Sequence, residues 1–128
     1  MKNEATGTFD VKLAPVGGGE GPIGSMSINK TFHGDLQGTS VGQMLAFRSS
    51  VEGSAGYVAM ERVTASLNGR QGTFTLQHSG LMDKGAQSLT VAVVPDSATE
   101  GLTGLAGTMN IVVTSGQHDY QFRYTLPD

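Results

Sequence analysis

Apolar and polar residues alternate along this 128-residue chain in short runs broken by glycine. Runs with a period of two read as half-buried β-strands. Eight are visible: Thr8–Ala14, Ile23–Phe32, Gln37–Phe47, Tyr57–Ser66, Gly72–Leu81, Ser88–Val94, Thr108–Val113 and His118–Leu126. No segment carries the period of an amphipathic helix, although one short turn fits near Ser97–Glu100 or Leu102–Leu105. Gly34-Asp35, Asn68-Gly69 and Ser115-Gly116 read as tight hairpin turns, and Asp83-Lys84-Gly85-Ala86 as a slightly longer one. The pattern predicts one all-β domain over residues 1–128, an antiparallel sandwich or barrel with little or no helix. Pro95–Gly104 is long for a hairpin and is expected to cap or plug one barrel end.

The two clearest turns set register, because Asn-Gly tolerates the positive φ angles of a two-residue turn. Around Asn68-Gly69, Val63 should face Phe74, Glu61 Leu76, Ala59 His78 and Tyr57 Gly80. Thr73, Thr75, Gln77 and Ser79 form a polar face, so Phe74, Leu76 and His78 point inward and Glu61 travels with them. Around Ser115-Gly116, Val113 should face His118, Ile111 Tyr120 and Met109 Phe122, placing His118, Tyr120, Phe122 and Tyr124 on one inward stripe. Phe9, Val11 and Leu13 alternate with Thr8, Asp10 and Lys12, which makes the first strand a partner that closes a barrel. In strands two and three two sets compete for the interior: Met26, Ile28 and Phe32 with Val41, Leu45 and Phe47, or Ser25, Ser27, Asn29 and Thr31 with Ser40 and Met44. The first is the expected inward set. Lys30 and Arg62 are expected outside, His33 exposed beside its turn, and Arg48 at the mouth.

Composition narrows the function classes. Hydrophobic residues make up 38% and glycines number 19, which suits a thin β-layer or narrow barrel. A net charge of −3 lacks the basic stripe of a nucleic-acid module. With no cysteine there is no disulfide, thiolate metal site or cysteine nucleophile. No apolar leader or membrane-length stretch is present, so a cytoplasmic protein that does not enter membranes is expected. The Gly17–Gly21 run lacks the Lys-Ser/Thr ending of a phosphate loop, and Gly53-Ser54-Ala55-Gly56 lacks the strand-turn-helix context of a nucleophile elbow. No cofactor is implied.

Longer stretches carry a resemblance. They are Lys30–Gly38, Tyr57–Thr64, Gly69–Gly80, Val93–Ser97 and Leu102–Gly107, with the likeness ending at His118-Asp119-Tyr120. The chain resembles a bacterial family, domain of unknown function 3224, whose members adopt an allene-oxide-cyclase-like barrel. It departs from that pattern at Ala98, where a glycine-richer loop is the rule. The resemblance implies a single eight-stranded antiparallel up-and-down barrel. It transfers no activity and no catalytic residue.

On an up-and-down barrel, Tyr57, His78 and His118 would lie toward one mouth, with Glu61 deeper and the Pro95–Gly104 loop at the opposite end. Glu61 and His78 are diagonal neighbours within reach of a carboxylate–imidazole bond. They are the candidate catalytic pair, and Tyr57, His118 and Tyr120 are the candidate ligand-binding residues. The same polarity equally describes a buried network that only fixes register. Glu61, His78 and His118 are not expected to converge on one ion, so no metal site is assigned. Three readings stand side by side: a barrel binding a small, mostly apolar molecule with a polar end; a cofactor-free isomerase or cyclase in the same pocket; or a packed barrel acting as an oligomeric or partner-binding module, for instance a homodimer.

Overall fold

The computed structural model describes residues 2–16 and 23–127. The glycine run from Gly17 to Gly21 lies outside the described residues. Eight antiparallel strands close into a barrel in chain order: β1 (Lys2–Pro15), β2 (Ile23–Gly34), β3 (Leu36–Arg48), β4 (Ala55–Leu67), β5 (Arg70–Asp83), β6 (Ala86–Val93), β7 (Ala106–Thr114) and β8 (Gln117–Thr125). Alternation alone left a choice between sandwich and barrel; the closed barrel is the one the resemblance implied, with β1 paired to β8 over Lys2–Phe9 and Phe9 opposite His118. Closure removes the free strand edges that a sheet would otherwise expose.

Both central hairpins have the expected register. Asn68 and Gly69 take φ of 46° and 89°, and Ser115 and Gly116 take 49° and 81°. These left-handed pairs match the twist of the flanking strands. Val63 pairs with Phe74, Glu61 with Leu76, and Ala59 with His78; Val113 pairs with His118 and Met109 with Phe122. Lys84-Gly85 also forms a two-residue turn, one step tighter than its sequence suggested.

β3 corrects the sequence expectation. Val41, Leu45 and Phe47 face outward and are 59%, 50% and 41% exposed, whereas β2 turns Ile28 and Phe32 inward as expected. Lys30, expected outside, is inward and buried with them. Volume rather than polarity decides the matter. Phe32, Lys30 and Ile28 lie opposite Gly38, Ser40 and Gly42. In a narrow lumen, large groups on one strand need small ones on the next. A Cβ on Gly42 would stand 2.8 Å from that of Glu61 and 2.3 Å from the Met60 carbonyl oxygen.

One half of the lumen is packed solid. Phe32, Leu36, Leu67, Phe74, Leu76 and Phe122 are buried there, with Phe74 and Phe122 stacked at 5.9 Å. The long loop plugs this end. A 3-10 turn, Glu100–Leu102, drives Leu102 into the core and Leu105 follows, while Ala98 packs against the same cluster. Before the turn, the loop serves the part of β5 that β6 does not reach. Val94 and Thr99 donate to the Thr75 and Thr73 carbonyls, and the Ser97 and Thr99 hydroxyls accept from the Thr75 and Thr73 amides. The weak line in the wall is between β6 and β7, joined by one pair, Ala92 with Thr108.

Candidate functional site

Four inward side chains from four consecutive strands meet midway along the barrel. Glu61 on β4 is fully buried. Its Oε1 accepts from Lys30 Nζ on β2 at 2.9 Å and from His78 Nε2 on β5 at 2.5 Å. Its Oε2 accepts from the Ser40 hydroxyl on β3 at 2.5 Å. An ionised carboxylate only accepts, so the shared proton sits on Nε2 of His78. The Lys30 ammonium also stands over the Phe9 ring, 4.6 Å from its centroid, a favourable cation–π contact.

Burial by itself pushes the Glu61 carboxyl up. The bond from His78, the charge of Lys30 and the bond from Ser40 outweigh it and hold the group at about 2. Glu61 is therefore an anion across the physiological range, with both oxygens hydrogen-bonded. Among the described residues, no buried side-chain nitrogen or oxygen lacks a partner. The two Glu61 oxygens tie together side chains from β2, β3 and β5.

Toward the mouth, Tyr57 covers this cluster. Its ring lies 6.5 Å from that of His78, over Gly80, where an added Cβ would come within 2.3 Å of the tyrosine ring. Burial, then the Glu61 charge, raises the Tyr57 pKa, so its hydroxyl stays a donor. Above Tyr57 opens a cavity of about 590 Å³, walled by Met44, Ala46, Met82 and Leu89, with Arg48 at its side. Ala46 and Tyr57 face each other across β3 and β4, and Met82 lies on the same inward side of β5.

Of the residues singled out in the sequence, the fold brings Glu61, His78 and Tyr57 together. His118 is half-buried and stacks obliquely on Phe9 at 5.0 Å, so it reaches Lys30 only through that ring. Tyr120 sends its hydroxyl to the plugged end, where it accepts from the Leu36 amide at 2.8 Å and donates toward the His33 and Leu36 carbonyls. Among the described residues, no group of three or more His, Asp and Glu is arranged to hold a metal ion. Arg62 is exposed as expected, and exposed His33 pairs with Asp10 at 3.0 Å. Sequence reading missed Lys30 and Ser40. The signal for Lys30 was present, since it shares the parity of Ile28 and Phe32.

Comparison with known proteins agrees with this architecture. No curated protein matches the chain. A crystal structure of a protein of unknown function from the DUF3224 family of Shewanella oneidensis MR-1 superposes with a TM-score of 0.93 at 45% identity. That similarity covers 100% of this chain and 99% of the other. The family described as "Protein of unknown function (DUF3224)" matches residues 5–124. With the barrel and the sequence in agreement over nearly their whole length, the chain belongs to the DUF3224 family.

Proposed function

We propose that the protein binds a small, mostly apolar molecule with one polar end in the open mouth of the barrel. The observation that carries this reading is the cavity of about 590 Å³ above Tyr57, with Met44, Met82 and Leu89 in its walls. Small-molecule sites are concave, chiefly apolar and marked by a few placed polar groups. Here those groups are the Tyr57 hydroxyl and the Arg48 guanidinium, which suit a carbonyl or acidic end. Glu61, His78 and Lys30 form the rigid support beneath.

A specific contact favours the second reading, a cofactor-free isomerase or cyclase. Tyr57, which lines the cavity, touches His78 from above. In that reading Tyr57 donates to a substrate oxygen and His78 moves the proton, because the Glu61 oxygens are occupied. Among the described residues, no helix is long and apolar enough to cross a membrane. The charged outward positions of β1 and β8 support a water-soluble protein, for which we propose the cytoplasm as the compartment.

The test uses anilinonaphthalene sulfonate, an apolar fluorophore with an anionic end. Ala46→Trp, which fills the cavity, should abolish its lumenal binding, and Arg48→Ala should weaken it about tenfold, or about 1.4 kcal/mol. Equal binding to the wild type and Ala46→Trp sinks the reading. Glu61→Gln and His78→Ala, screened against a metabolite pool, separate binder from enzyme: turnover lost with binding retained favours catalysis.

A further inference from the structure

The outer wall of a water-soluble barrel ordinarily shows polar side chains. Toward the mouth, β3, β4 and the end of β5 depart from this, although Thr73, Thr75, Gln77 and Ser79 keep the rest of β5 polar. Val41, Leu45, Phe47, Val58, Met60 and Leu81 are all outward and between 41% and 66% exposed. They form one patch. Leu45 faces Val58 directly, and Gly56 joins Phe47 to Leu81. The outward positions around them, Ser25–Thr31, Gln37–Phe47, Gly56–Ser66 and Gln71–Leu81, hold a single charge, Arg62. The opposite wall is different, with Glu4, Asp10, Lys12, Asp119 and Arg123 outward on β1 and β8.

We propose that this face is the interface of a homodimer, with a second copy seated on it about a twofold axis near the Leu45–Val58 pair. Depletion of charge, with Met, aromatic and Arg residues retained, is the compositional mark of an interface centre. By strand spacing and rise the patch measures roughly 15 by 20 Å, the scale of the apolar centre of an interface burying ~800 Å² per partner.

A second copy fits better than other occupants. A partner with a charged docking surface would find one counter-charge here. An extended peptide cannot add as a strand, because β3, β4 and β5 are paired on both sides. A twofold contact needs no groove, only a surface that matches itself. The lone cation also fits: Arg62 is four residues from Val58, so the two copies of Arg62 would stand about 25 Å apart. The patch borders the mouth, because Phe47, Gly56 and Leu81 also line the cavity, but the dimer is argued from the outer face alone.

Sedimentation velocity and native mass spectrometry of the full chain at micromolar concentration should show a dimer. Leu45→Glu places carboxylates on the axis and should raise the dissociation constant at least tenfold with an unchanged far-UV spectrum. Should that variant not fold, Leu81→Ser, at the most exposed patch position, gives the same readout. Val112→Glu, on the opposite wall and 57% exposed, should leave the dimer intact. A monomeric wild type, a larger assembly, a dimer indifferent to the patch variants, or one equally broken by Val112→Glu overturns the proposal.

Discussion

Lys30 meets Glu61 at 2.9 Å although β2 and β4, which carry them, are not neighbours. The ammonium crosses the inner face of β3, where Ser40 is small enough to let it pass and adds its own hydroxyl to the carboxylate. A buried ion pair of this kind contributes less to net stability than its geometry suggests, but breaking it leaves an uncompensated charge. Lys30→Met should therefore cost about 3–5 kcal/mol. The double variant Lys30→Met/Glu61→Gln should cost clearly less than the sum of the two single changes. Urea denaturation of all four proteins measures this, and simple additivity would contradict a coupled pair.

Acid should act through the same carboxylate. Its pKa is lowered to about 2 in the fold, while the unfolded chain titrates near the ordinary 4.5. A depressed carboxylate stabilises fully above the unfolded value, and that contribution is lost as pH falls through the folded one. Stability should then decline between roughly pH 4.5 and 2, by on the order of 3 kcal/mol from this group. Glu61→Gln should flatten that part of the profile. An unchanged slope in chemical denaturation across this window would assign the acid sensitivity elsewhere.

Gly42 tests whether volume sets the facing of β3. Gly42→Ala brings a methyl against the Glu61 backbone and the Met60 carbonyl, neither of which is a flexible side-chain end. It should destabilise by about 1–3 kcal/mol, a typical cost of overpacking. A neutral result in thermal unfolding would mean the wall yields at this point.

The single bridge between β6 and β7 predicts where the barrel opens first. Backbone amides on the facing edges of these strands should exchange with deuterium well before those of the β4–β5 ladder, which pairs from Ala55 to Leu67. Local opening follows the lowest density of buried contacts and ladder bonds. Uniform protection around the barrel would contradict a weak seam.

Much of the fold was legible in the residues. Asn68-Gly69 and Ser115-Gly116 each bind a turn type to a register, so the partners of Tyr57, Glu61, His78 and Tyr120 followed from counting. The polar run Thr73, Thr75, Gln77 and Ser79 then told inside from outside. β3 offered no such guide. Its run Met44-Leu45-Ala46-Phe47 is apolar on both parities, and Val41, Leu45 and Phe47 coat the exterior.

Local sequence thus determined eight strands, the register of the β4–β5 and β7–β8 hairpins and the burial of Glu61 beside His78, because turn chemistry and period-two alternation act over a few residues. Tertiary structure alone decided the facing of β3, the capture of Lys30 and the open mouth above Tyr57. Those depend on how side-chain volumes from non-adjacent strands share one narrow lumen, a constraint that arises only when the barrel closes.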